Sequence, residues 1–153
     1  GGAVETTSVD LAKRSRELSE AHFVANGLAL DAHRFVVMDV FDYYKYAKRH
    51  DLSYDVIVLD PPSFARNKKR TFSVAKDYHR LVSEALEILN PGGILILSTN
   101  AANVTKEKFK KQIEKGGRKH RYLAEYGLPG DFRWNKKEES SNYLKVFTIR
   151  VDV

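Results

Sequence analysis

Three strand-like runs in this chain each close on an aspartate. Residues 4–9 close on Asp10, residues 35–38 on Asp39, and Asp55-Val56-Ile57-Val58-Leu59 on Asp60. Each run reads as a β-strand. The third, continuous and apolar, predicts a strand buried on both faces. Residues 11–26 read as a helix, with Leu11, Leu18, His22 and Ala25 near one side and Gly27 as its C-terminal stop. Residues 40–49 read as a second helix.

The rest of the chain continues the alternation. A loop over residues 61–74 precedes the clearest helix, residues 76–89, where Tyr78, Leu81, Val82, Ala85, Leu86 and Leu89 fall at helical spacing. Asn90-Pro91-Gly92-Gly93 signals a turn, and residues 94–97 read as a fourth buried strand. Thr105 is a candidate N-cap for a helix over residues 106–115, which Gly116-Gly117 ends. Residues 122–126 and 143–151 read as two final strands with no helix between them, hence an antiparallel hairpin at one edge. The expected fold is α/β, a Rossmann-like and mainly parallel sheet with helices on both faces. No linker or repeat interrupts residues 1–153, which read as a single domain.

In such sheets ligands bind beyond the carboxyl ends of the strands. Three acids in register would line one crevice; three separate helix caps would look the same in sequence. Asp60-Pro61-Pro62-Ser63-Phe64 adds weight to the crevice. Two prolines stiffen the backbone and remove two N–H donors. What remains are acceptors, the Asp60 carboxylate and exposed carbonyls, with an aromatic ring at the tip. That suits a planar group bearing N–H donors, such as a nucleobase. A rigid loop with a packed phenylalanine is the alternative.

Composition narrows the chemistry. The chain has no cysteine, so it offers no disulfide, thiolate metal site or cysteine nucleophile. Its five histidines show no metal-ligand spacing, and no metal is expected. No apolar run approaches the ~20 residues that cross a bilayer, and no membrane partner or signal segment is indicated. Lysine and arginine exceed the acids 26 to 20, a net charge of +6. The excess is clustered: Lys68-Lys69-Arg70; Lys106, Lys108, Lys110 and Lys111; Lys115, Arg118, Lys119 and Arg121. Such clusters suit RNA phosphates or a solvated helix face.

Asp-Pro-Pro-Ser-Phe after Val56-Ile57-Val58-Leu59 is similar to the fourth motif of class I S-adenosylmethionine-dependent methyltransferases. With Gly1-Gly2-Ala3, Thr7-Ser8-Val9-Asp10, Asn26-Gly27-Leu28, Asp39-Val40-Phe41 and Leu97-Ser98-Thr99-Asn100, nearly the whole chain resembles bacterial 23S ribosomal RNA methyltransferases. These make 5-methylcytosine or 7-methylguanine. The resemblance implies S-adenosylmethionine as cofactor, ribosomal RNA as partner and a cytoplasmic location. It places Asp10, with Leu11 beside it, at the ribose hydroxyls, and Asp39, Val40 and Phe41 at the adenine. Asp60, Pro61, Pro62 and Phe64 would face the methyl group and target base, with Ser63, Phe64, Thr99 and Asn100 holding the substrate and Ser98 completing the wall. Lys76 and Tyr78 could border the base, or serve as helix start and core aromatic.

The resemblance further implies a glycine-rich turn, its leading strand and an RNA-binding domain before Gly1. The chain is then expected to be a truncated catalytic domain, weakly active alone and prone to associate or exchange strands through the open sheet edge. Members that modify carbon 5 use a cysteine nucleophile. Thr99 stands where it is expected, which favours a nitrogen target. A nicotinamide-dependent dehydrogenase could also use Asp10 on a ribose, but gives the Asp-Pro-Pro loop no role. A non-enzymatic RNA-binding module accounts for the charge and not for the three acids.

Overall fold

The computed structural model describes residues 2–66 and 71–152. The run Lys68-Lys69-Arg70 lies outside the described residues. The chain forms two compact units, Gly1–Asp51 and Leu52–Val153.

In the first unit, β1 (Thr6–Asp10) runs parallel to β2 (His33–Val37), Thr6 opposite His33 and Asp10 opposite Val37. Between them lies helix α1 (Lys13–Ala25). Its packing departs from expectation. Leu11 and Leu18 are exposed, and the side that packs carries Ser15, Ser19 and Phe23. These recur every four residues, and the Phe23 ring sits edge-on to His33 (4.7 Å) and Phe35 (5.1 Å). The large ring over β2 sets the helix rotation, and Leu18 turns outward with it. Gly27 ends the helix at φ +67°, a conformation costly for other residues. Helix α2 (Val40–Arg49) has the predicted bounds and buries Phe41, Tyr43, Tyr44 and Ala47.

The second unit holds β3 (Tyr54–Leu59), β4 (Phe64–Arg66), β5 (Thr71–Ser73), α3 (Val74–Leu86), β6 (Leu89–Thr99), α4 (Lys106–Lys115), β7 (His120–Tyr126) and β8 (Lys145–Val151). Its four-stranded sheet has the order β3-β6-β8-β7. β3 and β6 are parallel; β8 is antiparallel to both β6 and β7. The edge hairpin is as expected. The Asn90–Gly93 stretch is an excursion inside β6, because partners jump from Tyr54/Leu89 to Val56/Ile94. The expected loop at residues 61–74 contains a short antiparallel pair, β4 with β5, in which Phe72 is buried.

The core of this unit lies on one face of the sheet. Leu95, Leu97 and Thr99 of β6 and Phe147, Ile149 and Val151 of β8 are buried with Tyr78, Val82 and Ala85 of α3 and Phe109 and Ile113 of α4. Phe109 bridges the layers, 4.7 Å from the Tyr78 ring and 5.7 Å from that of Phe147. The end of α4 is drawn tightly onto α3. A Cβ on Gly116 would lie 2.4 Å from Val82 Cγ1, so only glycine fits without a shift. The expectation that β3 is covered on both faces does not hold within this unit. Side chains alternate along a strand; Leu59 is buried, while Val56 and Val58 are 51% and 62% exposed. Both α3 and α4 belong to the Leu59 side.

Candidate functional site

Strand register gathers the expected site residues of the second unit at one end of its sheet. Leu59 lies opposite Leu97, Thr99 opposite Lys145, and Tyr126 opposite Val146. The segments that follow β3 and β6, and the loop from β7 to β8, therefore lie at the same end of the sheet. Asp60 is exposed there, and Ser98 Oγ donates to its Oδ1 at 2.5 Å. Ser63 Oγ donates to Asn100 Oδ1 at 2.9 Å, and the Ser63 carbonyl accepts from Val74 N–H at 3.1 Å. The loop after β3 is thus tied twice to the end of β6. Between these ties Pro61 is half-buried and Pro62 exposed. Phe64 is 62% exposed, so the rigid loop does not pack its ring away.

Beneath the ties sits Tyr78, fully buried. Its hydroxyl lies 3.0 Å from the Leu59 carbonyl and 3.2 Å from that of Ser98, and donates to the pair. Tyr78 therefore does not border a base; it locks the backbone under Asp60 and Ser98. Helical spacing shows it as a core aromatic. The further signal is chemical: a buried tyrosine hydroxyl requires a partner. Thr99 also departs from its expected place at a substrate. It is fully buried, and its hydroxyl accepts from Ala101 N–H at 3.1 Å. It shares the inward parity of Leu95 and Leu97, so it shapes the turn after β6 and presents nothing to a ligand. Asn100 is exposed.

In the first unit Asp10 stands exposed at the end of β1. Its Oδ1 accepts from Ala12 N–H at 2.7 Å and its Oδ2 from Ser15 Oγ at 3.0 Å. The carboxylate thus steadies the entry to α1 with one donor on each oxygen. Each oxygen can accept a second. Leu11 beside it is exposed. Asp39 caps α2, its Oδ1 accepting from Phe41 N–H at 3.0 Å and Asp42 N–H at 3.4 Å. Val40 opens that helix half-buried; the Phe41 side chain is buried. Helix capping and a crevice role are compatible at both acids.

The basic clusters are unequal. Lys106 Nζ bonds Glu125, and Lys110 Nζ lies 3.5 Å from the same carboxylate. The Lys106 hydrogen bond, helped by both positive charges, holds the Glu125 carboxyl below its usual range. Lys110 also lies 5.2 Å above the Tyr122 ring. Arg118 donates to the Leu86 carbonyl at 3.2 Å. Among the described residues no group of three or more acids and histidines could hold a metal. No described helix is long and apolar enough to cross a membrane.

Parallel strand pairs, helices between them in sequence and an antiparallel edge hairpin define an α/β protein of Rossmann-like class I methyltransferase type. Residues 1–132 match the family described as S-adenosylmethionine-dependent methyltransferase, and the chain belongs to that family. YwbD of Bacillus subtilis strain 168, provisionally named a ribosomal RNA large subunit methyltransferase, is 44% identical over 98% of this chain and 39% of its own length. A ribosomal RNA large subunit methyltransferase of Deinococcus radiodurans is 31% identical, over 99% of this chain and 38% of its own. SMU.776, provisionally named a methyltransferase and crystallised with SAH, has 65% identity and a TM-score of 0.94, covering 99% of this chain and 40% of its own. The chain thus spans about two fifths of the length of these relatives.

Proposed function

We propose that the protein carrying this chain transfers a methyl group from S-adenosylmethionine to a base of 23S ribosomal RNA. One observation carries the reading: an exposed acceptor-only carboxylate, Asp60, is clamped by Ser98 beside an exposed ring, Phe64, on a loop tied at Ser63 to Asn100. That arrangement orients a flat group with N–H donors. The names of the relatives, ribosomal RNA large subunit methyltransferases, support the choice of RNA. Such a protein works in the cytoplasm.

The acids suit the cofactor. Asp10 keeps acceptor capacity on both oxygens at an exposed strand end, which fits a vicinal diol. Asp39, Val40 and Phe41 would border the adenine. When bound, S-adenosylmethionine supplies an electrophilic methyl group. The residues of this chain position the base: Asp60 accepts from its N–H groups, Phe64 lies against its plane, and Ser63 and Asn100 fix the loop. Of the base atoms, a nitrogen is the target favoured. It carries its own lone pair and needs positioning rather than covalent activation. The chain has no cysteine, and the buried Thr99 hydroxyl reaches no substrate.

The test is transfer of labelled methyl from S-adenosylmethionine into 23S RNA, with the modified atom read by mass spectrometry. Asp60→Asn keeps an oxygen for Ser98 and removes the charge; the rate should fall about 100-fold, the scale of a misplaced reactant. Full activity in that variant would refute the role of Asp60. Alone, the 153-residue chain should also associate through β3, a sheet edge within its unit with Val56 and Val58 exposed beside it. A strictly monomeric chain by light scattering would refute this.

A further inference from the structure

We propose that the loop joining β7 to β8 is a platform for unpaired RNA beside the reacting base. On it Trp134 and Phe132 stack on bases, and Arg133, Lys136 and Lys137 meet phosphates. The proposal rests on the RNA methyltransferase reading and names the surface that reading lacks.

Place comes first. Tyr126 and Lys145 bracket residues 127–144 at the same end of the sheet as Asp60 and Asn100, two strands over from β3 and beyond. A base delivered to Asp60 brings its neighbouring nucleotides across this end. The loop is also longer than the roughly 12–15 residues beyond which a connection usually has a function or no fixed shape.

This loop has a fixed shape. Phe132 N–H donates to the Pro129 carbonyl at 3.0 Å. Asn135 organises a turn: its carbonyl accepts from Glu138 N–H at 2.9 Å, and its Oδ1 from Lys137 N–H at 3.1 Å. Ser141 Oγ accepts from Asn135 N–H at 2.9 Å, and a 3₁₀ turn, Glu139–Ser141, closes the far side. Held in this frame, Phe132 remains 45% exposed and Trp134 38% exposed. The Phe132 ring stands edge-on to Tyr143 at 6.2 Å, which supports it from one side. Large rings facing water from such a frame present flat surfaces on which any base can stack.

Charge points to the same partner. Among the described residues Arg133, Lys136 and Lys137 form no ion pair, whereas the Glu138 carboxylate accepts from Ser140 Oγ at 3.0 Å. Lys106 and Lys110 of α4 are engaged by Glu125 and compete poorly for a phosphate. Lys108 and Lys111 of α4 are exposed as well, but the loop sets its cations in sequence directly beside two exposed rings, Phe132 and Trp134.

Trp134 is the only tryptophan of the chain, so its emission reports on this loop alone. An unpaired ribo-oligonucleotide should quench it, with affinity falling as salt rises. Trp134→Ala should weaken the labelled oligonucleotide about tenfold by anisotropy, the scale of one lost stacking contact, with S-adenosylmethionine affinity unchanged. In the protein carrying the chain, the same change should raise KM for ribosomal RNA more than it lowers kcat. Equal oligonucleotide affinity in wild type, Trp134→Ala and Phe132→Ala, with methyl transfer intact, would overturn the platform and leave the methyltransferase reading standing. Quenching and the tenfold loss without methyl transfer to RNA would support the platform and sink the reading it was built on.

Discussion

Removing one oxygen from Tyr78 tests whether the hydroxyl or the ring holds this site. In Tyr78→Phe the ring keeps its edge-on contact with Phe109 at 4.7 Å, so packing is nearly conserved. What is lost is the donor to the carbonyls of Leu59 and Ser98, at 3.0 and 3.2 Å. A net hydrogen bond contributes about 1 kcal/mol, and leaving buried acceptors short adds to that, for a total of roughly 1–3 kcal/mol. Loss of the whole ring, as in Tyr78→Ala, would cost more, of the order of 3–5 kcal/mol by analogy with other aromatic truncations. For a chain of this size the phenylalanine variant should therefore melt about 3–10 °C lower. Urea unfolding should show a lower midpoint with an unchanged slope, the mark of lost stability without altered compactness. The same hydroxyl underlies both partners of the Ser98–Asp60 bond. Methyl transfer should accordingly fall about tenfold with cofactor affinity retained, a positioning effect. If Tyr78→Phe unfolded within about 0.3 kcal/mol of wild type, below the ~1 kcal/mol of an ordinary hydrogen bond, the hydroxyl would be idle and the clamp refuted.

Other substitutions probe separate links. Asp10→Asn keeps an oxygen for Ala12 N–H but loses the charge; S-adenosylmethionine should bind about tenfold more weakly by calorimetry, the worth of one charge-assisted hydrogen bond. Unchanged affinity would remove Asp10 from the ribose. Gly116→Ala drives a methyl into Val82 and should cost about 1–3 kcal/mol by overpacking; Gly116→Ala with Val82→Ala should recover part of that loss, and no recovery would refute the clash. Burial first, and then Glu114, push the Tyr122 hydroxyl up to about 12 from 10.0. The unfolded chain releases that proton first, so this contribution is complete below pH 10 and is lost as pH rises to about 12. Ultraviolet titration of wild type against Tyr122→Phe should isolate the late step; a difference centred near pH 10 would refute it. Glu125 should titrate below the usual carboxylate range by NMR and return toward it in Lys106→Ala, since the Lys106 hydrogen bond is its leading cause.

The features legible in the sequence are those set by a few neighbouring residues. Asp39 before Val40-Phe41-Asp42 is a cap by local chemistry, and α2 starts where it says. Thr105 and Gly116 bound α4 in the same way. The apolar period of α3 identifies its buried face, Tyr78 included. What the Tyr78 hydroxyl reaches is not local: its acceptors lie 19 and 20 residues away on two strands. Lysine clusters are visible as charge, but the neutralisation of Lys106 and Lys110 depends on Glu125 arriving from β7. The rotation of α1 follows from Phe23 meeting His33 and Phe35, which a count of leucines misses. Thr99 is the instructive case, because its burial was available from parity with Leu95 and Leu97. Resemblance to a motif points Thr99 to the ligand, whereas the alternation of the strand puts it in the core. The same separation explains the loop after β7. As sequence, residues 127–144 are polar filler around one tryptophan. Strand register brings only the ends of that loop to the sheet end that carries Asp60, and it is on the proposed RNA reading that the exposed ring of Trp134 becomes a surface for nucleotides beside a target base.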